Sequence, residues 1–263
     1  MTTMVLLEVK DGVKDFGGLR AVNHVSFAVE EGKITSLIGP NGAGKTTIFN
    51  LISCLLPLDS GVIHYRNTLL NKVPAYRIAA LGIGRMLQDP RVFRHLTVLE
   101  NILVAVPGQR GENPLRAIFT SRGSRRDGIA LERAHEILRF IGLEDRAEIP
   151  AHDLSFGEQR LLSFGRVLAT GAELLLLDEP TVGLDGAMIQ RLSDLFQKTV
   201  TQGGKTVLLI EHNMEVVMGV SDYLVVLVEG AVILEGVPET VRNHPELLRA
   251  YLGTAHAADR HWR

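Results

Sequence analysis

Apolar and polar positions divide the chain into three zones. In the first, they alternate over short spans in VLLEVKDGVKDF, AVNHVSFAVEEG and KITSLIG, punctuated by Gly12, Gly17, Gly18 and Gly32. Period-two alternation interrupted by glycine predicts short antiparallel strands. ITSLIG runs directly into PNGAGKTTIFNLISCLL, a strand, turn and helix, and GVIHYRNTLL reads as another strand pair. From Thr97 the pattern turns helical, with TVLE as a capping box opening NILVAV. IALERAHEILRFIGL has apolar residues at helical spacing and Gly142 as its C-cap. Between these, PGQRGENPLRAIFTSRGSRRDG (residues 107–128) carries Arg110, Arg116, Arg122, Arg125 and Arg126 among glycines and prolines. It reads as a solvated, mobile connection, with contact to an anionic surface as the alternative.

The third zone alternates strands and helices. LSFGEQR contains a second capping box, Ser155 with Glu158, ahead of the helical stretch LLSFGRVLA. ELLLLDEP and KTVLLIEH are continuous apolar runs of strand length, the mark of strands buried on both faces of a parallel sheet. AMIQRLSDLFQKTV is an amphipathic helix, NMEVVMGV a short helix, and YLVVLVEGAVILEG a hairpin. The expected fold class is α/β: a core flanked by antiparallel strands, with a mostly helical insertion near residues 89–154. No internal repeat is visible, and the end GTAHAADRHWR is polar.

Composition narrows the picture modestly. The 263 residues are 46% apolar and 22% charged, which is ordinary for a globular protein. A net charge of −2 gives no drive toward nucleic acid. Cys54 is the single cysteine, so no internal disulfide forms and a reducing compartment is expected. The start lacks the pattern of a signal peptide. No apolar run approaches the roughly eighteen residues of a membrane span. The expectation is a soluble chain that can still sit against a membrane through a partner.

Two stretches carry recognisable chemistry. GPNGAGKT fits the phosphate-loop spacing through Gly39, Gly44, Lys45 and Thr46, between a buried strand and a helix. Its glycines let backbone N–H groups wrap a phosphate chain, Lys45 neutralises β/γ oxygens, and the Thr46 hydroxyl is placed to ligate Mg²⁺. In LLLLDEP, a carboxylate at the carboxyl end of a buried strand lies where α/β sheets bind ligands. Asp178 would partner Mg²⁺ directly or through water, and Glu179 would orient and deprotonate an attacking water. Taken alone, the two acids also suit a plain strand end. His212, after another buried strand, reads alone as a structural histidine, and no second histidine beside it points to zinc. Gln88 in MLQDP is equally ordinary in isolation.

The order of these pieces is the informative feature: phosphate loop, Gln88, LSFGEQ, LLLLDEP, GLD, His212. In that order and spacing the chain resembles the ATP-binding subunits of ABC transporters over essentially its whole length. The resemblance implies one domain over 1–263. Within it, a P-loop NTPase (RecA-like) core with an antiparallel β subdomain covers 1–88 and 155–263, and a helical subdomain covers 89–154. It also implies residue roles. ATP and Mg²⁺ would be held by Gly39, Pro40, Asn41, Gly42, Ala43, Gly44, Lys45, Thr46 and Thr47, with Gln88 as the Q-loop glutamine that touches the metal. Asp178 resembles the Walker B aspartate, Glu179 the general base, Asp185 the D-loop aspartate, and His212 the switch histidine at the γ-phosphate. Phe16 in KDFGG takes the place of the aromatic residue that stacks on adenine, a core position being the alternative. Ser155, Phe156, Gly157, Glu158 and Gln159 would meet the nucleotide of a second ATPase subunit in a head-to-tail homo- or heterodimer.

FGGLRAVNHVSF, RVFRHLTVLENILVA, IEHNMEVVM and AYLG are similar to the subunit that energises branched-chain (hydrophobic) amino acid uptake, and the insertion around residues 107–130 suits that branch. The resemblance implies transmembrane permease subunits, an extracytoplasmic substrate-binding protein, and a peripheral position on the cytoplasmic face of the inner (plasma) membrane. It implies no nucleic acid partner. Phe156 stands where many ABC proteins have glycine, Leu87 where an aromatic is usual, and SFGRVLATG departs from the usual ARAL pattern. These departures remove no catalytic group and bear more on the substrate than on ATP hydrolysis. Uptake of urea or amides, lipid export, a non-transport ABC ATPase, and a small-molecule kinase on the same phosphate loop are the alternatives. The kinase would need an acceptor pocket and no LSFGEQ.

Overall fold

A computed structural model of the chain describes residues 4–108, 125–247 and 249. Arg110, Arg116, Arg122, the AYLG stretch and the polar end lie outside the described residues.

Two sheets form the frame. The first is antiparallel, in the order β2-β1-β4-β5. It comprises β1 (Val5–Phe16), β2 (Leu19–Glu30), β4 (Ser60–Tyr65) and β5 (Thr68–Leu69). The alternation predicted short strands here, but β1 and β2 each run for 12 residues. Gly12 does not end a strand. Register shifts flank it, and neighbouring Asp11 turns to φ 50°, so the glycine marks a bulge that bends a continuous strand.

The second sheet has the order β10-β9-β3-β8-β7-β6. Its strands are β3 (Ile34–Ile38), β6 (Ile83–Met86), β7 (Leu174–Asp178), β8 (Thr206–Ile210), β9 (Tyr223–Val228) and β10 (Ala231–Gly236). All neighbours pair in parallel except β10 with β9. Every residue of β3, β7 and β8 is buried, as their unbroken apolar runs require.

The pleat of β7 explains how one run serves two cores. Leu174 and Leu176 face the layer formed by the first sheet and α1 (Lys45–Ile52), packing with Val9, Phe27 and Phe49. Leu175 and Leu177 face the opposite layer of α4 (Phe156–Ala169) and α5 (Gly186–Thr201). There Phe164 and Phe196 meet edge to face, with ring centroids 5.2 Å apart. Each such fully buried leucine contributes roughly 1.5–3 kcal/mol, which fixes the strand ends carrying the polar groups.

The insertion is helical, as expected, with α2 (Val98–Ala105) opened by the Thr97–Glu100 capping box. Helix α3 (Arg125–Ile141) begins earlier than the sequence suggested, and takes in the last residues of the segment read as a mobile connection. It ends at Gly142, at φ 69°. Helix α4 packs against both α2 and α3. Gly165 permits this approach: a Cβ there would sit 2.7 Å from Ile141 Cδ1 and 3.0 Å from Ile102 Cδ1. Helices α6 (Met214–Val220) and α7 (Pro238–Arg242) complete the described fold. No described helix is long and apolar enough to cross a membrane.

Candidate nucleotide site

The carboxyl ends of β3, β6, β7 and β8 lie side by side, and the polar residues that follow them converge there. After β3, the loop Gly39–Gly44 turns into α1. At its two ends the backbone excludes a side chain: Gly39 (φ 149°) would place a Cβ 2.0 Å from Leu227 O, and Gly44 (φ 98°) one 2.3 Å from Ala21 O. No side chain caps α1, and no acid sits in its first turn. Its free N–H groups are therefore left for an outside acceptor, where the helix dipole favours an anion. Lys45 is 5% exposed, and its Nζ donates to Gly39 O (2.7 Å) and Pro40 O (2.9 Å). Burial lowers its pKa, while Glu179 and Asp178 oppose the shift. Asn41, Gly42 and Thr46 are exposed, Ala43 is buried, and Pro40 and Thr47 are half-buried.

After β7, Asp178 is buried and accepts from Arg85 Nη2 at 2.9 Å. Burial raises its carboxyl above the usual range, and Arg85 opposes that shift. Arg85 stands on the neighbouring strand β6, donates Nη1 to Asn50 Oδ1 (2.7 Å) and lies 5.7 Å from the Phe49 ring. Glu179 takes a left-handed φ of 47°, a costly conformation for a non-glycine residue. Its Oε2 accepts from Gln88 Nε2 at 2.8 Å, and its Oε1 lies 2.8 Å from His212 Nε2. Three strand ends thus bring Gln88, Glu179 and His212 together.

The sequence reading passed over two residues of this end. One is Arg85, whose strand IGRM is too short and too broken by glycine and arginine to show a period. The other is Glu211, buried at the end of the β8 run. Its Oε1 accepts from Thr181 N (3.0 Å) and Thr181 Oγ1, and its Oε2 from His212 N (2.9 Å) and Asn213 N (3.2 Å). Its signal was an acid placed inside an apolar run, where it needs buried donors.

The remaining predicted residues lie elsewhere. Ser155 and Glu158 form the expected capping box: Ser155 N donates to Glu158 Oε2 (2.8 Å) and Glu158 N to Ser155 Oγ (3.3 Å). Burial works against the Glu158 charge, but the Ser155 bonds and nearby Arg146 prevail and hold its carboxyl below the usual range. Gln159 Nε2 donates to Leu154 O, and Asp185 caps α5 by accepting from Met188 N. Phe156 is 47% exposed. Among the described residues, no hydrogen bond or ion pair joins Ser155–Gln159 to the phosphate loop. Phe16 is 43% exposed at the end of β1, with Lys14 Nζ 5.5 Å from its ring, which removes the core alternative.

The ABC transporter family model matches residues 22–182. The chain belongs to the ABC transporter family. It is an ATPase cassette whose nucleotide is ATP, and the α/β fold class inferred from the sequence holds. It is 41% identical to the high-affinity branched-chain amino acid transport ATP-binding protein LivG of Salmonella typhimurium, over 95% of this chain and 98% of LivG. The ADP conformation of an ATP-binding cassette of an ABC transporter matches with a TM-score of 0.83 at 31% identity, covering 95% of this chain and 100% of that one. A dimeric ATP-binding cassette in a post-hydrolysis state, bound to ADP and phosphate, matches with a TM-score of 0.72 at 28% identity, covering 88% and 98%.

Proposed function

We propose that this cassette binds ATP with Mg²⁺ on the Gly39–Thr47 loop and hydrolyses it to drive branched-chain amino acid uptake. The observation that carries the chemistry is Glu179, held between Gln88 and His212 beside the phosphate loop. The likeness to LivG supports the transported class. Substrate would not touch this chain.

The donor set suits a hard cation held jointly with phosphates. Among the described residues no cluster of His, Cys, Asp and Glu forms a cage, whereas Thr46, Gln88 and Asp178 offer oxygens around one loop. Mg²⁺ is commonly bound this way, by one or two protein oxygens plus substrate phosphates. Bound there, it would supply neutralisation of the charge on the phosphate chain. Lys45 would exchange its two carbonyl acceptors for phosphate oxygens, gaining an anionic partner for a buried ammonium. Glu179 would accept the proton of the attacking water. His212 and Gln88 hold its carboxylate in this structure, and would offer their polar atoms to the γ-phosphate and the metal. The exposed ring of Phe16 would stack on adenine.

The nucleotide core would comprise 1–88 and 155–263, with 89–154 as the helical unit that docks transmembrane permease subunits beside Gln88. A second ATPase subunit would pair head to tail, presenting Ser155–Gln159 and Asp185 to the opposing nucleotide; the dimeric relative supports the pairing itself. An extracytoplasmic binding protein would complete the system, and the cassette would be peripheral at the cytoplasmic face of the membrane.

Glu179→Gln tests the base. It should retain ATP binding, lose about 10²–10⁴-fold in turnover, and accumulate an ATP-bound dimer on size exclusion. Near-normal phosphate release would remove Glu179 from this role. Co-purification with integral membrane subunits from detergent extracts tests transport. A stable soluble complex without them would count against it.

A further inference from the structure

Arg160 lies in the second turn of α4 and is 2% exposed. Its guanidinium spends its donors on main-chain carbonyls of two separate loops. Nη1 donates to Gln88 O, and Nη2 donates to Val182 O at 3.3 Å. Nε is buried with no partner among the described residues. The plane lies 5.1 Å from the exposed ring of Phe156, at the N-terminal end of the same helix. Burial lowers its pKa, and Asp89, Glu211 and Glu179 hold the charge in place through space.

These bonds close a circuit. Gln88 Nε2 donates to Glu179, whose other oxygen meets His212 Nε2. The His212 N–H donates to Glu211, which also receives Thr181 N, and Val182 follows directly. Val182 O and Gln88 O both return to Arg160. Of the members of this circuit, Arg160 is the one that lies on α4, the helix whose first residues are Phe156 and Gly157.

We infer that Arg160 is a positioning residue that ties the loops of Gln88 and Glu179 to α4, so that engagement of the α4 N-terminus by a second subunit's nucleotide is felt at the hydrolytic carboxylate. This rests on reading Glu179 as the base. A planar fork suits the task, because one guanidinium can hold two carbonyls on different loops in fixed directions, whereas an ammonium is a point charge. The contact with Phe156 gives an incoming partner a lever on the same side chain.

The test uses the full-length chain with Arg160→Met and Arg160→Lys. Methionine keeps the apolar stem but leaves two carbonyls without their donor, so Arg160→Met should still melt cooperatively but below the wild-type temperature. Amide hydrogen exchange should rise about tenfold in peptides covering Gln88–Asp89 and Val182–Gly183, and stay unchanged in the phosphate loop. ATP affinity should remain within about twofold while kcat falls about tenfold or more, because a small displacement of a positioned group is costly. Arg160→Lys should recover part of kcat.

Unchanged exchange in both loops would overturn the tether. Raised exchange with wild-type kcat would overturn its role in the reaction. If Arg160→Met does not fold, the same readouts on Arg160→Lys decide, with wild-type exchange or wild-type kcat overturning the proposal. Exchange is measured without turnover. Failure of the base assignment would show separately, as normal hydrolysis by Glu179→Gln.

Discussion

Helices α1 and α4 each carry a glycine at their start, Gly44 as the N-cap of α1 and Gly157 within the first turn of α4. They differ in what satisfies their first backbone donors. At α1 no side chain caps the end, no acid occupies the first turn, and Lys45 adds a buried ammonium. At α4, Ser155 and Glu158 satisfy two donors reciprocally, and the Glu158 carboxylate, held below its usual pKa, already supplies a negative charge to the helix dipole. A bare N-terminus favours an anion by about 0.3–2 kcal/mol, and each hydrogen bond to a charged group adds about 1.5–3 kcal/mol. The α1 end is therefore built to capture a polyphosphate unaided. The α4 end is self-satisfied, and suits a phosphate already held by another subunit. On the proposed function, one region would set nucleotide affinity, and the other would set the condition for using it.

Arg85 ties α1 to the end of β7, bonding Asn50 and Asp178 with one guanidinium. Arg85→Met would leave Asp178 buried without its counter-charge, at a cost of about 3–5 kcal/mol in chemical denaturation. Arg85→Met with Asp178→Asn should regain most of that loss and still not turn over. A small loss in the single variant would show that Asp178 finds solvent or another donor. Next in size, Lys45→Met should weaken ATP binding by about 1.5–3 kcal/mol, roughly ten- to 150-fold, measured by ATP-dependent melting. Its nucleotide-free transition should move less than that of Arg85→Met. Equal ATP affinity would break the claim that α1 dominates capture.

What could be read from the sequence follows the range of the interactions. The phosphate loop is contiguous, and its strand and helix context lies within a few residues, so spacing alone located Lys45. The runs LLLLD and TVLLI announced strands buried on both faces, which placed Glu179 and His212 just past strand ends. The pairing of β7 with β8 makes those ends neighbours. Arg85 was missed because β6 is four residues with no period, and its pairing with β7 is set by residues about ninety positions away. Glu211 and Arg160 were passed over because their partners, Thr181, Val182 and Gln88, come from distant loops. Gly12 was misread as punctuation because a bulge and a turn demand similar residues. Local signals identified groups, while long-range pairing decided which of them meet.

The smallest expected effect on stability separates the two helix ends most cleanly. Ser155→Ala should cost about 1 kcal/mol as a lost N-cap and leave ATP affinity of the isolated chain unchanged. Ser155→Asp changes a different variable. Aspartate caps as well as serine, so the melting transition should stay near wild type. It also places a second carboxylate beside Glu158, where an opposing γ-phosphate would have to approach, and like charges there repel. In the Glu179→Gln background, Ser155→Asp should therefore bind ATP normally and fail to form the ATP-dependent dimer on size exclusion. A dimer of wild-type stability in that double variant would mean that the α4 end does not face a phosphate, and the division of labour between the two helices would have to be redrawn.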